Sequence, residues 1–171
     1  GMELGRSFVV PDYWNSRSLD YLWQGIGAYL RRHPHVRYLF GAVSISSALP
    51  GQQAREQIVA YYAQHYGATD ALACRTRPFE YRPMPDAFAQ LDAQSGMQLL
   101  KANLHAVGVQ IPVLYKQYAE LREPGGVRFL AFGVDPAFSD AVDGLVEVDL
   151  QRLLPRKRRR YLHSRDAHAA A

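Results

Sequence analysis

The chain has 171 residues, of which 48% are apolar and 21% charged, with a formal net charge of +4. This balance is typical of one globular domain with a hydrophobic core and argues against an intrinsically disordered chain. No apolar run approaches the roughly 20 residues of a membrane-spanning helix, and the lone Cys74 excludes a disulfide framework and a cysteine-based metal site. A single cysteine favours the reducing cytosol, with peripheral attachment at the inner membrane as a second expectation.

The first 67 residues predict alternating strands and helices. Apolar residues recur at spacings of three and four after Ser18, which we expect to cap the first helix before Pro34 closes it. The predicted elements, in chain order, are a strand over Met2–Val10, a helix over Ser18–His33, a strand over Arg37–Ser46 and a helix over Gln52–Tyr66, with Gly67 at its C-terminus. Two strands joined by a helix are expected to lie parallel.

The rest of the chain predicts fewer and shorter strands. After an irregular stretch over Ala68–Met84, the predicted elements are one or two helices within Pro85–Leu104, a helix over Pro112–Leu121, strands over Val127–Val134 and Leu145–Val148, and a helix over Leu150–Leu162 interrupted near Pro155. Asp135-Pro136 and Asp143-Gly144 mark the loop between those two strands. The fold class is therefore α/β, with a small mixed sheet flanked by helices, in one domain over residues 2–162 followed by a flexible tail over 163–171.

Five consecutive cations stand at Arg156–Arg160. Such a run suits an anionic partner, which is nucleic acid, acidic lipid or an acidic carrier protein. A solvated helix end is the simpler interpretation. No aromatic residue is interleaved in the run, which argues against binding to nucleic acid.

The turn before the first helix has the composition of an anion site. First-turn N–H groups of a helix lack intrahelical acceptors, and the helix dipole favours negative charge there. Asn15, Ser16 and Ser18 add donors and Arg17 adds a cation. The pattern suits a phosphate or the phosphodiester of phosphopantetheine, although many strand–turn–helix units bind nothing.

The same segment carries a family resemblance. A strand, then V-x-P-x-Y and a helix, resembles the donor-binding motif of the GNAT superfamily. Five longer segments, covering nearly all of 3–162, resemble the hemolysin-like N-acyltransferases: ELGRSFVVPDY, LDYLWQGIGAYL, RYLFGAVSIS, IPVLYKQYAELR and FGVDPAFSDAVDGLVEVDL. That family includes ornithine-lipid enzymes that acylate the α-amine of an amino acid, and forms fused to a lysophospholipid acyltransferase domain.

Two departures from the GNAT pattern shape the expectations. The phosphate loop, Trp14–Ser18, holds no glycine, and glycines let a backbone approach a pyrophosphate closely. We therefore expect acyl carrier protein as the donor in preference to coenzyme A. The chain also begins at what resembles the fourth GNAT strand. We therefore expect the N-terminal strands of the GNAT fold to be missing. We also expect the sheet edge that their absence exposes to pair with a second copy of the chain, which favours a homodimer.

The resemblance also implies roles for individual residues. A backbone N–H on the central strand, at Phe8, Val9 or Val10, is placed to polarise the thioester carbonyl. No metal or redox cofactor is implied, and the scattered histidines form no ligand set.

Three residues are predicted to act on the acceptor or the leaving group. Glu3 is the candidate general base, since an ammonium must lose a proton before it attacks. Arg6 is the candidate partner of the acceptor's carboxylate. Tyr62 is the candidate acid. The alternatives are an ion pair between Glu3 and Arg6 and simple packing of the tyrosine.

The favoured function is transfer of a fatty acyl group from acyl carrier protein, or from coenzyme A, to an amine such as the α-amine of an amino acid in aminolipid synthesis. A non-catalytic module that binds acyl carrier protein or an anionic membrane is the main alternative. A nucleic-acid-binding domain rests only on the run at 156–160 and is not favoured.

Overall fold

The computed structural model describes residues 1–5, 9–13, 16–70, 73, 76–83, 89–121 and 123–162. Its strands are β1 (Met2–Glu3), β2 (Tyr38–Ile45), β3 (Val127–Asp135) and β4 (Ala141–Asp149). Its α-helices are α1 (Ser18–Arg32), α2 (Gln52–Tyr66), α3 (Ala93–Ala106), α4 (Val113–Glu120) and α5 (Pro155–Leu162). Cys74 and the predicted tail at 163–171 lie outside the described residues.

The four described strands form one mixed sheet in the order β1-β2-β4-β3. β1 runs parallel to β2, whereas β4 is antiparallel to both β2 and β3. The mixed sheet flanked by helices confirms the predicted fold class, and the parallel pairing of the first two strands was also predicted.

β1 is much shorter than the strand predicted over Met2–Val10. It ends at Glu3, although the N–H of Leu4 still donates to the carbonyl of Phe40 at 2.7 Å. Val9 and Val10 belong to no strand. The expectation that they lie on a central strand is wrong, because β1 is at the edge of the sheet.

The β3–β4 hairpin is tighter than the sequence predicted. Asp143-Gly144 lies inside β4, not in a loop. The chain reverses instead just after Asp135, whose carboxylate accepts the N–H of Ala137 at 2.9 Å and caps a short 3₁₀ helix. Ser139 and Asp140 complete the turn with φ of 53° and 54°. Asp and Ser tolerate this conformation better than branched residues do.

The core lies on one face of the sheet. Alternate residues of β2 and β4 are buried, which places the residues between them on the opposite, less covered face. We call this second face the open face; it carries, among others, Ala42, Ser44, Asp143 and Leu145. The core side contains an aromatic cluster in which the Tyr62 ring lies 5.0 Å from Tyr115 and 5.2 Å from Phe129, centroid to centroid.

Two helix ends differ from the predictions in detail. Ser18 does not cap α1: the capping position is Arg17, which makes no side-chain cap, and the hydroxyl of Ser16 accepts the N–H of Ser18 at 3.2 Å. The predicted interruption near Pro155 is confirmed. A 3₁₀ helix over Leu150–Arg152 is followed by α5, which begins at Pro155, where the missing proline N–H has no cost. No described helix is long and apolar enough to cross a bilayer.

α1 and α5 are in direct backbone contact. A Cβ on Gly27 would clash with the carbonyl oxygen of Tyr161. A Cβ on Gly25, in the same helix, would meet nothing within 4 Å. Glycine is therefore required at one position by packing and tolerated at the other.

The two glycines give a matched pair of stability predictions. Gly27→Ala should lower the free energy of unfolding by about 1–3 kcal/mol, because the helices must move apart. Gly25→Ala should raise it by about 0.5–1 kcal/mol, since alanine is the better helix former. Urea unfolding followed by far-ultraviolet circular dichroism measures both, and an equal response at the two positions would contradict the close contact.

Candidate functional site

A polar cavity lies at the N-terminus of α1, with a volume of about 570 Å³. It brings together four of the residues predicted to bind the donor, namely Val9, Ser16, Arg17 and Ser18. The remaining wall residues come from the preceding turn, the first turn of α1, α4 and α5: Tyr13, Leu19, Asp20, Val113, Gln117 and Arg160. Asn15 and Phe8, also predicted here, lie outside the described residues.

The serine hydroxyls of this cavity are oriented by the turn. Ser16 Oγ lies 2.6 Å from Ser18 Oγ and also donates to the carbonyl of Tyr13. Both hydroxyls are therefore held beside the first turn of α1. The positive end of the helix dipole, together with the guanidinium of Arg17, favours an anion at this position.

Asp20 is the electrostatic hub of the polar cavity. Its carboxylate accepts two hydrogen bonds from Arg160, at 3.0 and 2.7 Å, and one each from Gln24 at 2.9 Å, Arg17 at 3.3 Å and the hydroxyl of Tyr161 at 3.2 Å. The hydrogen bonds from Arg160, followed by those from Gln24 and Arg17, lower the pKa of Asp20 to about 2 against partial burial. Two guanidinium groups thus face one carboxylate, which leaves one positive charge in excess.

An apolar cavity of about 400 Å³ adjoins the polar one. The two share Leu19, and the apolar cavity lies between the end of β1, the middle of β2, α1 and α4. Its walls are Leu4, Leu19, Leu22, Trp23, Ile26, Ala42, Val43, Ser44, Leu114, Tyr118 and Phe138. Trp23 Nε1 donates to Gln117 Oε1 at 3.0 Å and so joins α1 to α4 where the two cavities meet.

The edge of β2 contributes backbone groups to the apolar cavity. The carbonyl of Phe40 points toward β1, since it accepts from Leu4. Alternate residues of a strand direct their polar groups to the same side, so those of Ala42 and Ser44 also face this cleft. β1 has already ended at Glu3, and none of its residues pairs with Ala42 or Ser44. An extended ligand can therefore lie along this edge.

The predicted catalytic residues are not gathered in one place. Glu3 is exposed on β1, in register with Phe40. Tyr62 is fully buried and lines neither cavity; its hydroxyl has no hydrogen-bond partner within the described ranges, and burial raises its pKa. Arg6 lies outside the described residues. The roles assigned to these three side chains stay predictions.

Two arginines of the basic run at 156–160 make hydrogen bonds within the fold. Arg160 holds Asp20, and Arg158 Nη2 donates to the carbonyl of Leu150 at 2.8 Å. Arg156 and Arg159 are exposed. Sequence reasoning missed that α5 returns to the N-terminus of α1, because Asp20 and Arg160 are 140 positions apart.

The part of the chain that the structure describes holds no group of three His, Cys, Asp or Glu side chains able to bind a metal ion. The cavities offer hydroxyls, guanidinium groups and backbone amides. Their chemistry suits an anionic group followed by an apolar chain.

Comparison with known proteins gives relatives of one kind. The chain is 26% identical to a glycine N(alpha)-acyltransferase of Phocaeicola vulgatus over 174 residues, covering 95% of this chain and 52% of that protein. It is 24% identical to the protein of that name in Bacteroides thetaiotaomicron, with 95% and 51% covered. It is also 37% identical to an L-ornithine N(alpha)-acyltransferase of Brucella abortus over 83 residues, covering 48% of this chain and 28% of that protein.

No family model and no solved structure matches the chain. The chain spans about half the length of the glycine-named relatives. The relatives confirm the resemblance to ornithine-type N-acyltransferases.

The Asp20 hub predicts a pH-dependent stability. Because the folded pKa of about 2 lies below the ordinary value of 3.8, the stabilisation is fully present well above the ordinary value and is lost as the pH falls through it toward 2. Asp20→Asn should cost about 1–2 kcal/mol at pH 7, a figure reduced for the solvent exposure of Arg160. Urea unfolding of both proteins between pH 7 and pH 3 should show the difference shrinking only in the acid range; a difference independent of pH would exclude the charged hub.

Proposed function

We propose that this chain, a relative of the glycine- and ornithine-named N(alpha)-acyltransferases, transfers a fatty acyl group from a phosphopantetheine thioester to the amine of an amino acid. One observation carries the proposal: a polar, cationic cavity at a helix N-terminus shares the wall residue Leu19 with a neighbouring apolar cavity. The phosphodiester binds beside Ser16, Arg17 and Ser18, and the acyl chain occupies the apolar cavity.

The reaction needs the thioester carbonyl to lie at the edge of β2. The pantetheine arm is an extended chain with amide groups, and it finds backbone partners at Ala42 and Ser44. The neutral amine attacks the carbonyl carbon, the new C–N bond forms, the C–S bond breaks, and the thiolate takes up a proton. A backbone N–H in the segment 8–10 polarises the carbonyl, and Glu3 removes the proton from the ammonium.

Tyr62 is the proposed proton donor to the leaving thiolate. A tyrosine phenol is protonated at neutral pH and so carries a proton to donate. Because the side chain is buried, this role requires access to the cleft, and Tyr62→Phe tests it directly. Loss of turnover with unchanged donor binding supports the role, whereas full activity assigns the tyrosine to the core alone.

Acyl carrier protein is the proposed donor. The polar cavity has one excess positive charge, which matches the single phosphodiester of a carrier protein better than the several phosphate charges of coenzyme A. The exposed guanidinium groups of Arg156 and Arg159 offer a surface for an acidic carrier. We further propose a GNAT-like fold, a cytoplasmic location with peripheral attachment to an anionic membrane, and a homodimer.

A donor-binding module without turnover is the second candidate, because the chain spans about half the length of its glycine-named relatives. Release of free thiol from palmitoyl-acyl carrier protein, with and without glycine or ornithine, separates the two. Amine-dependent release supports the enzyme. Binding of the carrier protein without thiol release supports the module. If the chain neither binds the carrier protein nor releases thiol, both candidate functions are rejected.

Arg17 gives the sharpest test of the donor site. Arg17→Gln should raise the KM for acyl-acyl carrier protein by about tenfold, the value of one charge-assisted hydrogen bond. The kcat should change little, because the phosphodiester is remote from the reacting carbonyl. Arg32→Gln is the matched control, since Arg32 is exposed like Arg17 but lies at the opposite end of α1. Equal KM values for the two variants would show that Arg17 does not bind the phosphodiester of the donor.

A further inference from the structure

A third cavity lies on the open face of the sheet and has no role in the donor site. We call it the open-face cavity; it encloses about 400 Å³ between β2, β4, β3 and residues 76–77. Its walls include the small side chains of Ala42 and Ala131, together with Gly133. Such a volume suits a small polar molecule.

The open-face cavity touches the apolar cavity at one residue. Ala42 lines both. In the sheet register Ala42 lies opposite Leu145, and the next open-face pair on the two strands is Ser44 with Asp143. A molecule bound over Ala42 is therefore adjacent to the β2 edge where the thioester is proposed to lie.

Two opposite charges line the open-face cavity, and they are not paired with each other. Asp143 Oδ1 is buried and has no hydrogen-bond partner among the described residues. A buried carboxylate oxygen without a donor is costly, and a cation bound against the part of Asp143 that lines the cavity offsets that cost electrostatically.

Arg77, which also lines the open-face cavity, supplies the positive charge. Its backbone is fixed, because its carbonyl accepts the N–H of Val134 at 2.9 Å and Pro78 forms a bridge with Gly133. Its side chain is exposed and makes no hydrogen bond or ion pair within the described part of the chain. The guanidinium is thus available to a carboxylate.

We propose that the open-face cavity binds the amine acceptor as a small α-amino acid, with Asp143 binding the ammonium group and Arg77 the carboxylate. This inference rests on the proposed function and gives Arg77 the role that the sequence predicted for Arg6. The small side chains of Ala42 and Ala131 leave room for the Cα of the acceptor on the open face. Asp143 and Arg77 then select a primary amine that carries a carboxylate one carbon away.

Acceptor analogues separate the two contacts. With palmitoyl-acyl carrier protein as donor, Arg77→Gln should raise the KM for glycine by about tenfold or more. The KM for glycinamide, which lacks the carboxylate, should be unchanged by this substitution. Asp143→Asn should raise the KM for both amines, because both carry the ammonium.

Two variants serve as controls. Arg82→Gln removes an exposed cation from the same irregular stretch, outside the cavity walls. Asp140→Asn removes an exposed carboxylate from the hairpin turn, where asparagine tolerates the positive φ. Both should behave as the wild type, and thermal unfolding checks that all four variants are folded.

The outcomes distinguish this inference from the function it rests on. If the wild type turns over and all four variants have the same KM for glycine, the proposed acceptor site is wrong. The proposed acyltransferase activity is still supported in that case. If the wild type shows no turnover, ligand-observed NMR measures glycine binding directly. Binding that is weakened in Arg77→Gln and Asp143→Asn supports the acceptor site and rejects the reaction. Binding that is absent, or equal in all variants, rejects both the acceptor site and the reaction.

Discussion

The close approach of β1 to β2 is the constraint on which the cleft depends. A Cβ on Gly41 would clash with the carbonyl oxygen of Leu4, so the two backbones meet more closely than any other residue would permit. β1 stays paired for only two residues and then leaves the edge of β2 to the apolar cavity. A longer paired strand would satisfy more backbone hydrogen bonds but would fill the space that an extended ligand needs.

A second contact determines the charge of the cleft. Asp20 anchors α5 to α1 and at the same time neutralises one of the two arginines in the polar cavity. The same ion pair therefore contributes to folding and leaves one unneutralised positive charge among the residues that line the cavity. Gly27 reinforces the arrangement by allowing α5 to lie against α1.

Local patterns were readable from the sequence, and long-range contacts were not. The bounds predicted for α2 agree with the structure, and those of β2 agree within one residue, because apolar periodicity and flanking turn residues mark both. Ser16, Arg17 and Ser18 are neighbours in sequence, so their grouping followed directly. Gln117 and Arg160 reach the same cavity from distant elements, and no local pattern indicates that.

Asp143-Gly144 has the sequence of a turn, but Gly144 is needed in β4 because the Tyr115 hydroxyl and the Phe129 ring leave no room for a side chain.

The tyrosines that fill the core also place an alkaline limit on the fold. Burial raises the pKa of Tyr62 and Tyr115, and that of Tyr118 to about 12. In the unfolded chain each phenol ionises near pH 10, as free tyrosine does. Unfolding in strong base therefore releases protons, and the stability present below pH 10 declines as the pH rises beyond it. A core made of phenylalanine would have no such limit, because phenylalanine has no proton to lose.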